Sequence, residues 1–288
     1  MGKKFCLYLI ILLILLTACG TQHEGFQYEQ AISVISREDG SGTRGAFAEL
    51  FDLYLIDENG LPYDATTLEA NITNNTAVMM TSVSSYKYAV GYLSLGSLNA
   101  SVKPVIIDGA APTAENIRDG SYRIARPFNI ATTQQVTDVT QDFIDYILSS
   151  DGQNIVEAAG YIAADNSSTN FDSRKPEGTI VIVGSSSVAP VMEKLKESYI
   201  LINTNAKIQI QQNDSTSGIA AATEGICDIG MASRALKDSE IEKGLLPTTI
   251  ALDGVVVIVN NENPLDELTK EQVRDIFIGH TTHWNEID

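Results

Sequence analysis

The chain has 288 residues, a formal charge of −18 and 44% hydrophobic residues. This acidic charge argues against a nucleic-acid partner, because a strongly negative surface repels polyanions. A small anion can still bind, since remote charges are screened within about 10 Å while nearby N–H groups and arginines act at contact distance. The length and hydrophobic content are sufficient for two cores in an α/β protein.

The N-terminus has the pattern of a secretory leader. Two lysines precede the apolar run of residues 5–16, and Cys19 follows in the order Leu-Thr-Ala-Cys. The run is shorter than the roughly 20 residues that span a bilayer, which favours a signal over a permanent transmembrane helix. We therefore expect residues 1–18 to be a signal peptide, Cys19 to carry a lipid anchor, and residues 19–30 to form an extracytoplasmic tether.

A glycine- and serine-rich loop follows the first predicted strand, which covers residues 31–35. The loop, residues 36–44, leads into an amphipathic helix that opens at residues 45–51. Helix N-termini carry unpaired N–H groups and the positive end of the helix dipole, and glycines let a ligand approach the backbone. Alone, this pattern is also typical of a simple helix cap. The loop supplies hydroxyl donors and positive charge from Ser41, Thr43, Arg37 and Arg44.

Two further segments repeat the order of strand, polar loop and helix. Residues 181–183 run into the loop 184–190, and residues 208–210 run into the loop 213–218. Three such units are hard to explain as three unrelated caps. In open α/β sheets, loops of this kind gather at the carboxyl ends of strands, where ligands bind. The three loops therefore predict one shared anion site.

The remaining elements continue the alternation of strands and helices. Residues 83–95 are predicted to be rich in strand around residues 89–93, and residues 142–159 to form one amphipathic helix. Residues 163–177, with their Asn, Ser, Asp and Pro, are the clearest linker. The last predicted elements are an apolar strand over 255–260 and a capped helix over 268–277.

Other reactive residue types indicate no second site. Cys227 lies in an apolar run, which favours a buried structural cysteine over a nucleophile. His280 and His283 could be two metal ligands, but no third ligand is visible, so exposed loop histidines are favoured. A secreted serine hydrolase would need a base beside a loop serine, and no Gly-x-Ser-x-Gly elbow appears. We expect no enzymatic activity, no metal and no cofactor.

Together these motifs resemble the PstS-type phosphate-binding lipoproteins, the extracytoplasmic receptors of bacterial ABC phosphate importers. The motifs are residues 36–44, 91–96, 184–187, 215–218, 230–234 and 277–279 with Trp284. The resemblance covers nearly all of residues 30–287 and implies two α/β lobes of the type II periplasmic-binding-protein-like fold, with the oxyanion in the cleft between them. It also implies inorganic phosphate as the ligand, an ABC permease as the partner, a monomeric state and membrane attachment through the lipid anchor.

By this resemblance, both halves of the chain supply ligands to one oxyanion. Lobe A is expected to comprise residues 119–262, and lobe B residues 26–118 with 263–288. Arg234 stands where some relatives carry an aspartate that accepts the proton of hydrogen phosphate, so another acceptor, such as Asp39 or Asp214, must favour phosphate over sulfate. The expected ligands are Arg37, Ser41, Gly42, Thr43, Ser186, Ser187, Ser215, Ser233 and Arg234, with Arg44, Asp39, Asp214 and Ser217 as secondary candidates.

The two halves stand in the reverse of the family's usual order. The segment matching residues 179–287 usually comes first, and the segment matching 32–162 follows. A circular permutation fits this order, with the linker joining the ancestral ends. The alternatives are a fragment of a tandem protein, a mis-assembled gene, or halves that swap between chains. On function, a receptor for sulfate or molybdate and a surface phosphate sensor remain open beside the importer receptor.

Overall fold

The computed structural model describes residues 25–164 and 169–287. The predicted signal peptide, the predicted lipidation site Cys19 and part of the predicted linker lie outside these residues. Within the described residues, no helix combines the length and the apolar content that crossing a membrane requires.

Strands and helices alternate along most of the described chain. The strands are β1 Ser33–Arg37, β2 Tyr54–Ile56, β3 Pro62–Asp64, β4 Asn71–Thr73, β5 Ala89–Ser94, β6 Lys103–Pro104, β7 Ile106–Ile107, β8 Ala125–Thr132, β9 Ile162–Ala163, β10 Gly178–Ser185, β11 Ala206–Asn213, β12 Ile229–Ala232, β13 Leu246–Val259 and β14 Glu267–Leu268. The helices are α1 Gly42–Leu50, α2 Thr76–Ser85, α3 Ala114–Arg118, α4 Asp138–Leu148, α5 Ser150–Ala158, α6 Ala189–Ile202, α7 Ser215–Thr223, α8 Asp238–Ile241 and α9 Lys270–Phe277.

One continuous sheet joins most of these strands. Its order is β11-β10-β12-β8-β13-β5-β1-β4, and β6 and β9 also pair with β13. β10 lies parallel to β11 and β12, and β1 lies parallel to β4 and β5. Between these two parallel groups, β8 and β13 run antiparallel to each other. The central antiparallel pair therefore connects the two halves of the sheet.

Two large hydrophobic cores lie on the sheet, one on each side of this central pair. Helices α4, α5 and α6 pack in the first core, where Phe143 and Leu195 are fully buried. Helices α1 and α9 pack in the second core, with Phe47 and Phe277 buried. The first half of β13 packs in the first core and its second half in the second. The predicted α/β class with room for two cores is confirmed.

Both ends of the described chain contribute to the second core, which contains Val34 and Trp284. Buried side chains from residues 122–124 and 255–259, assigned from the sequence to lobe A, also pack in this second core. In the predicted tether, the Phe26 ring lies 5.7 Å from the Trp284 ring, centroid to centroid. Trp284 is buried, as a packing aromatic should be.

The predicted helix over residues 142–159 is wrong in one respect, because the structure has two helices there, α4 and α5. Ser149 separates them and N-caps α5, since its side chain accepts a hydrogen bond from the Gly152 N–H. A Cβ atom at Gly152 would collide with the carbonyl oxygen of Tyr146, so the two helices meet closely at this glycine. The apolar pattern runs across the break because both helices pack on the same core.

Two other predicted boundaries also differ from the structure. Residues 83–85, predicted as strand, form the end of α2. The last predicted helix begins at Lys270 because Leu268 instead pairs with β7 in strand β14. The predicted strand cores at 89–93, 181–183 and 208–210 all lie within observed strands.

The described part of the predicted linker is held against the first core. The Phe171 N–H donates to the Asp151 carboxylate at 2.9 Å, and the Ser173 hydroxyl donates to Asp142 at 2.7 Å. The Phe171 ring packs on Tyr146, with 5.1 Å between the ring centroids. These contacts anchor the segment that leads from α5 into β10.

Candidate functional site

Chain segments at the carboxyl ends of four strands meet in the structure. The loop after β1 reaches α1, the loop after β10 reaches α6, and β11 passes almost directly into α7. The Thr216 N–H at the start of α7 donates to the Gly40 carbonyl at 3.2 Å. The fourth strand, β12, ends beside them just before Ser233. The three strand–loop–helix units thus share one place in the fold.

A group of hydroxyl side chains lies at this meeting point. It consists of Thr43, Ser185, Ser187, Ser215 and Ser233, and we call it the hydroxyl cluster. Thr43 Oγ1 lies 2.7 Å from Ser187 Oγ, and Ser185 Oγ donates to Ser233 Oγ at 3.0 Å. Ser215 Oγ lies 3.4 Å from Ser233 Oγ and accepts the Ser233 N–H at 3.1 Å. All five side chains are buried, so these polar groups bond to one another away from water.

Arg37 supplies positive charge next to the hydroxyl cluster. Its Nη2 donates to Ser186 Oγ at 3.2 Å, and Ser186 is the chain neighbour of two cluster members. The Glu38 carboxylate accepts from Arg37 Nε at 2.8 Å and from Nη2 at 2.7 Å. Only 3% of the Arg37 side chain is exposed, against 23% for Glu38. This buried guanidinium can hydrogen-bond an anion that reaches the cluster.

Tyr92 fixes the backbone of Arg37. Its hydroxyl accepts the Arg37 N–H at 3.1 Å and lies 2.8 Å from Ser36 Oγ. The ring stacks on Phe47 of α1, with 3.9 Å between centroids. Burial raises the pKa of Tyr92 to about 12, so the phenol keeps its proton at neutral pH. Tyr92 therefore connects the end of β1, which carries Arg37, to the buried face of α1.

Gly42 lets the first turn of α1 approach the hydroxyl cluster. A Cβ atom at this position would collide with Ser215 Oγ and lie 2.8 Å from Ser233 Oγ. Ser41 is the N-cap of this helix, since its side chain accepts the Arg44 N–H at 3.3 Å. The unpaired N–H groups at the start of α1 therefore lie beside the cluster, where they can donate to an anion.

Two of the candidate cations make ion pairs elsewhere. Arg234 makes two hydrogen bonds to the Glu240 carboxylate, at 2.7 and 2.8 Å. Arg44 pairs with Asp64 at 2.7 Å and with Asp39 at 2.6 Å. Within the described residues, no hydrogen bond joins either guanidinium to the hydroxyl cluster. Arg44 Nη1 instead donates to the Arg37 carbonyl at 3.0 Å, so Arg44 lies beside Arg37 while its charge is paired with Asp39 and Asp64. The Arg234 guanidinium is directed to Glu240.

The carboxylates considered as phosphate-proton acceptors have partners of their own. Asp214 is the N-cap of α7 and accepts from the Ser217 N–H at 2.8 Å and the Ser217 hydroxyl at 2.6 Å. The Asp39 side chain is 93% exposed and pairs with Arg44. Glu38 is instead the carboxylate that bonds to Arg37 directly.

Four residues of the site were not among the expected ligands: Glu38, Thr76, Tyr92 and Ser185. Thr76 Oγ1 lies 3.3 Å from Ser187 Oγ, so the start of α2 also reaches the cluster. Glu38 and Ser185 lie inside the loops singled out from the sequence, and their position in those loops could have identified them as site residues. Thr76 follows no glycine-rich loop and carried no local signal. Tyr92 lies in the motif of residues 91–96, but nothing local in that motif indicated a contact with Arg37.

The cysteine and the histidines of the described residues are not among the side chains that meet at this site. Cys227 is buried, as predicted, and burial raises the pKa of its thiol to about 11. The side chains of His280 and His283 are 69% and 44% exposed near the end of the described chain. In residues 25–164 and 169–287, no three His, Cys, Asp or Glu side chains are grouped so that they could hold a metal ion.

A polar cavity opens beside the site. Its volume is about 370 Å³, and its lining includes Glu38 and Ser186, both of which bond to Arg37. Asn75 and Asn213 line it from the two halves of the sheet. The cavity therefore adjoins two of the hydrogen-bond partners of the Arg37 guanidinium.

Comparisons with known proteins place the chain in a family. A model described as a PBP superfamily domain matches residues 21–151 and 169–288. Phosphate-binding protein PstS 2 of Streptococcus agalactiae serotype V is 50% identical over 257 residues, which cover 89% of this chain and 87% of that protein. Phosphate-binding protein PstS of Staphylococcus saprophyticus is 33% identical over 144 residues, 48% of this chain and 45% of that protein.

A solved structure is also similar to this chain. It is the crystal structure of a phosphate ABC transporter, phosphate-binding protein from Streptococcus pneumoniae TIGR4. Its sequence is 40% identical to this chain, and the match covers 90% of this chain and 100% of that protein's chain, with a TM-score of 0.72. The residues matched by the PBP superfamily model include all four strand ends that meet at the hydroxyl cluster. The chain belongs to the PstS family of phosphate-binding proteins, within the PBP superfamily.

Proposed function

We propose that this protein binds inorganic phosphate reversibly at the hydroxyl cluster and delivers it to the permease of an ABC importer. The observation that carries the proposal is the contact between Thr43 and Ser187, at 2.7 Å and 144 positions apart in the sequence. One lies at the start of α1 in the second core and the other just before α6 in the first. The names of the streptococcal relatives support phosphate as the ligand.

The chemistry of the site suits a tetrahedral oxyanion. Such an ion accepts hydrogen bonds in several directions, and each hydroxyl can turn its O–H toward an oxygen. The hydroxyls now bond mainly to one another, so an anion would replace neutral contacts with stronger charge-assisted ones. Arg37 adds the positive charge. The proposed ligands are Arg37, Ser41, Gly42, Thr43, Ser186, Ser187, Ser215 and Ser233.

We assign the other candidate residues a supporting role. Arg44 and Arg234 would have to break ion pairs of 2.6–2.8 Å to reach the anion. Asp39 completes the Arg44 pair, while Asp214 and Ser217 fix the start of α7. These side chains hold the loops in the positions from which the proposed ligands act.

Binding without chemical conversion fits this site best. A serine hydrolase would need a general base within hydrogen-bond reach of a serine. Glu38 is paired with Arg37, and both described histidines are exposed near the end of the described chain. The proposed role is therefore that of a receptor and not of an enzyme.

The proposed receptor is extracytoplasmic and monomeric. Lipid attachment at Cys19 and removal of residues 1–18 rest on the sequence pattern alone. Both hydrophobic cores and all proposed ligands belong to one chain, as a monomeric receptor requires. A sensor with the same site would bind and close in the same way, and it would differ by acting without a permease.

The reversed order of the halves is proposed to be a circular permutation. Two observations support it. The alignment with the Streptococcus agalactiae relative runs through 89% of this chain in one order. The alignment with the Staphylococcus saprophyticus relative covers 48%, as expected if only one half can be aligned at a time. The anchored linker then joins the former chain ends.

Isothermal titration calorimetry with phosphate, arsenate, sulfate and molybdate tests the function. We expect phosphate to bind, and Ser187→Ala to weaken that binding about tenfold because one buried hydroxyl donor is lost. Ser85→Ala is the matched control, since Ser85 is exposed and its hydroxyl donates to the Thr81 carbonyl of its own helix. No heat with any of the four anions on folded protein would refute the proposal. Tighter binding of sulfate or molybdate would select the alternative receptor.

A further inference from the structure

A buried ion pair joins the two central strands of the sheet. Arg126 on β8 lies opposite Asp253 on β13, and neither side chain is more than 2% exposed. Both strands pass from one hydrophobic core to the other at this point. Neither residue belongs to the proposed ligand set. Burying two charges is costly unless their mutual attraction is strong, so the pair calls for an explanation.

The hydrogen bonds in this pair are longer than those between Arg37 and Glu38. Arg126 Nε and Nη2 both contact a single oxygen of Asp253, at 3.3 and 3.1 Å. The second oxygen of Asp253 is taken by the Ser94 hydroxyl at 2.8 Å. By comparison, Arg37 meets both oxygens of Glu38 at 2.7 and 2.8 Å. The Asp253 carboxylate is therefore shared between Arg126 and Ser94.

One donor of Arg126 remains unused. Its Nη1 is buried and has no hydrogen-bond partner among the described residues. Strand β5 links the two guanidiniums, because its Ser94 binds Asp253 and its Tyr92 accepts the Arg37 N–H at 3.1 Å. Burial lowers the pKa of Arg126, and the positive charge of Arg37 lowers it further. An anion at the hydroxyl cluster would relieve the repulsion between them.

We propose that Arg126 is a second, remote cation of the anion site, whose charge Asp253 partly masks. This inference rests on the proposed function. Arg126 is a positioning residue here, because it acts on the anion through its electric field and through Arg37 and makes no direct contact. Removing Asp253's charge should therefore strengthen anion binding, while removing Arg126 should weaken it.

The masking should depend on pH. Burial raises the pKa of Asp253 to about 6, against the opposing effects of Arg126 and Ser94. The other titratable groups facing Asp253 are Tyr122 and Tyr161, whose pKa values burial raises well above 10, so neither is charged at neutral pH. Above pH 7, Asp253 is ionised and masks Arg126. Below pH 5, it is protonated and Arg126 is unmasked.

The test compares phosphate binding by the parent protein with Asp253→Asn, Arg126→Lys and the charge-neutral double variant Arg126→Met/Asp253→Asn. At pH 8 we expect Asp253→Asn to bind about tenfold more tightly and the double variant about tenfold more weakly than the parent. Arg126→Lys keeps the charge and should stay close to the parent. The control is Arg118→Met, because Arg118 is 57% exposed.

The pH profile separates this role from a structural one. Phosphate itself changes its protonation state over this pH range. At each pH we therefore divide the phosphate affinity of Asp253→Asn by that of the parent protein. That ratio should fall toward one as the pH drops from 8 to 5. A ratio of one throughout, weaker binding by Asp253→Asn, or a double variant that binds like the parent would each overturn the inference. Failure of the parent protein to bind phosphate at all would instead refute the proposed function.

Discussion

Replacing Arg37 with alanine should weaken phosphate binding by about 10- to 150-fold. The Arg37 guanidinium is buried, and its Nη2 lies 3.2 Å from Ser186 Oγ beside the hydroxyl cluster. A hydrogen bond to a charged group contributes about 1.5–3 kcal/mol to stability or binding, and about 1.4 kcal/mol corresponds to a factor of ten. The substitution removes this contribution together with the positive charge nearest to the cluster.

The same substitution leaves the Glu38 carboxylate without its partner. Glu38 accepts two hydrogen bonds from Arg37, and without Arg37 its negative charge would repel the incoming anion. The double variant Arg37→Ala/Glu38→Gln lacks that charge. It should bind phosphate more tightly than Arg37→Ala alone. The difference between the two variants measures the repulsion from Glu38.

Calorimetry at pH 7.5 on the parent and both variants provides the measurement, with Arg118→Ala as an exposed-arginine control. A thermal melt without phosphate checks that each variant is folded. If Arg37→Ala bound phosphate as tightly as the parent, Arg37 would be a structural ion-pair residue and the site would lie elsewhere. If the double variant matched Arg37→Ala, the Glu38 charge would not reach the anion.

Three further substitutions test the surroundings of the site. Gly42→Ala places a Cβ against the hydroxyl cluster and should lower phosphate affinity at least tenfold in calorimetry, because the hydroxyls must move apart. Thr43→Val removes the 2.7 Å hydroxyl contact between the two halves and should lower affinity about tenfold in the same assay. Burial raises the pKa of Asp64, but hydrogen bonds from Thr66 and Arg44 outweigh it and lower the pKa below the usual 3.8. Asp64→Asn should therefore reduce the free energy of unfolding by about 1 kcal/mol at pH 7, and urea denaturation should show this difference disappearing as the pH falls through the lowered pKa.

Each of these substitutions has an outcome that contradicts its reasoning. Parent-like affinity in Gly42→Ala would mean that the start of α1 can move away from the cluster without loss. Parent-like affinity in Thr43→Val would mean that the anion does not use this hydroxyl. A stability difference for Asp64→Asn that persisted below the lowered pKa of Asp64 would assign the effect to packing and not to the ion pair.

The position of the hydroxyl cluster was predictable from the sequence because its determinants are local. Serines and glycines directly after an apolar strand and before a helix can face only the carboxyl end of the sheet. Ser187 and Ser215 both satisfy this condition, and both lie in the cluster. Their distance from each other in the sequence does not matter, since the sheet brings the strand ends together.

The partners of the arginines were not predictable in the same way. Arg234 lies directly after Ser233, yet its guanidinium turns to Glu240 in the short helix α8. Arg44 pairs with Asp64, which belongs to the separate β2–β3 hairpin. A long side chain on a loop can reach in several directions, so its partner depends on which carboxylate the tertiary structure places nearby.

The division between α4 and α5 was missed for a related reason. The apolar pattern of residues 142–159 continues through the break because both helices pack on one core. The signal for the break was local and small. It consists of Ser149, an N-cap residue type, followed three residues later by Gly152, which allows the close approach to the Tyr146 carbonyl.

The central claim is that one chain forms one phosphate site from residues as distant in sequence as Thr43 and Ser187. Size-exclusion chromatography combined with the stoichiometry of bound phosphate tests it most directly. We predict a monomer that binds one phosphate per chain. A dimer that binds two phosphates and loses both on dissociation would show that the halves pair between chains, and a folded monomer without bound phosphate would contradict the claim entirely.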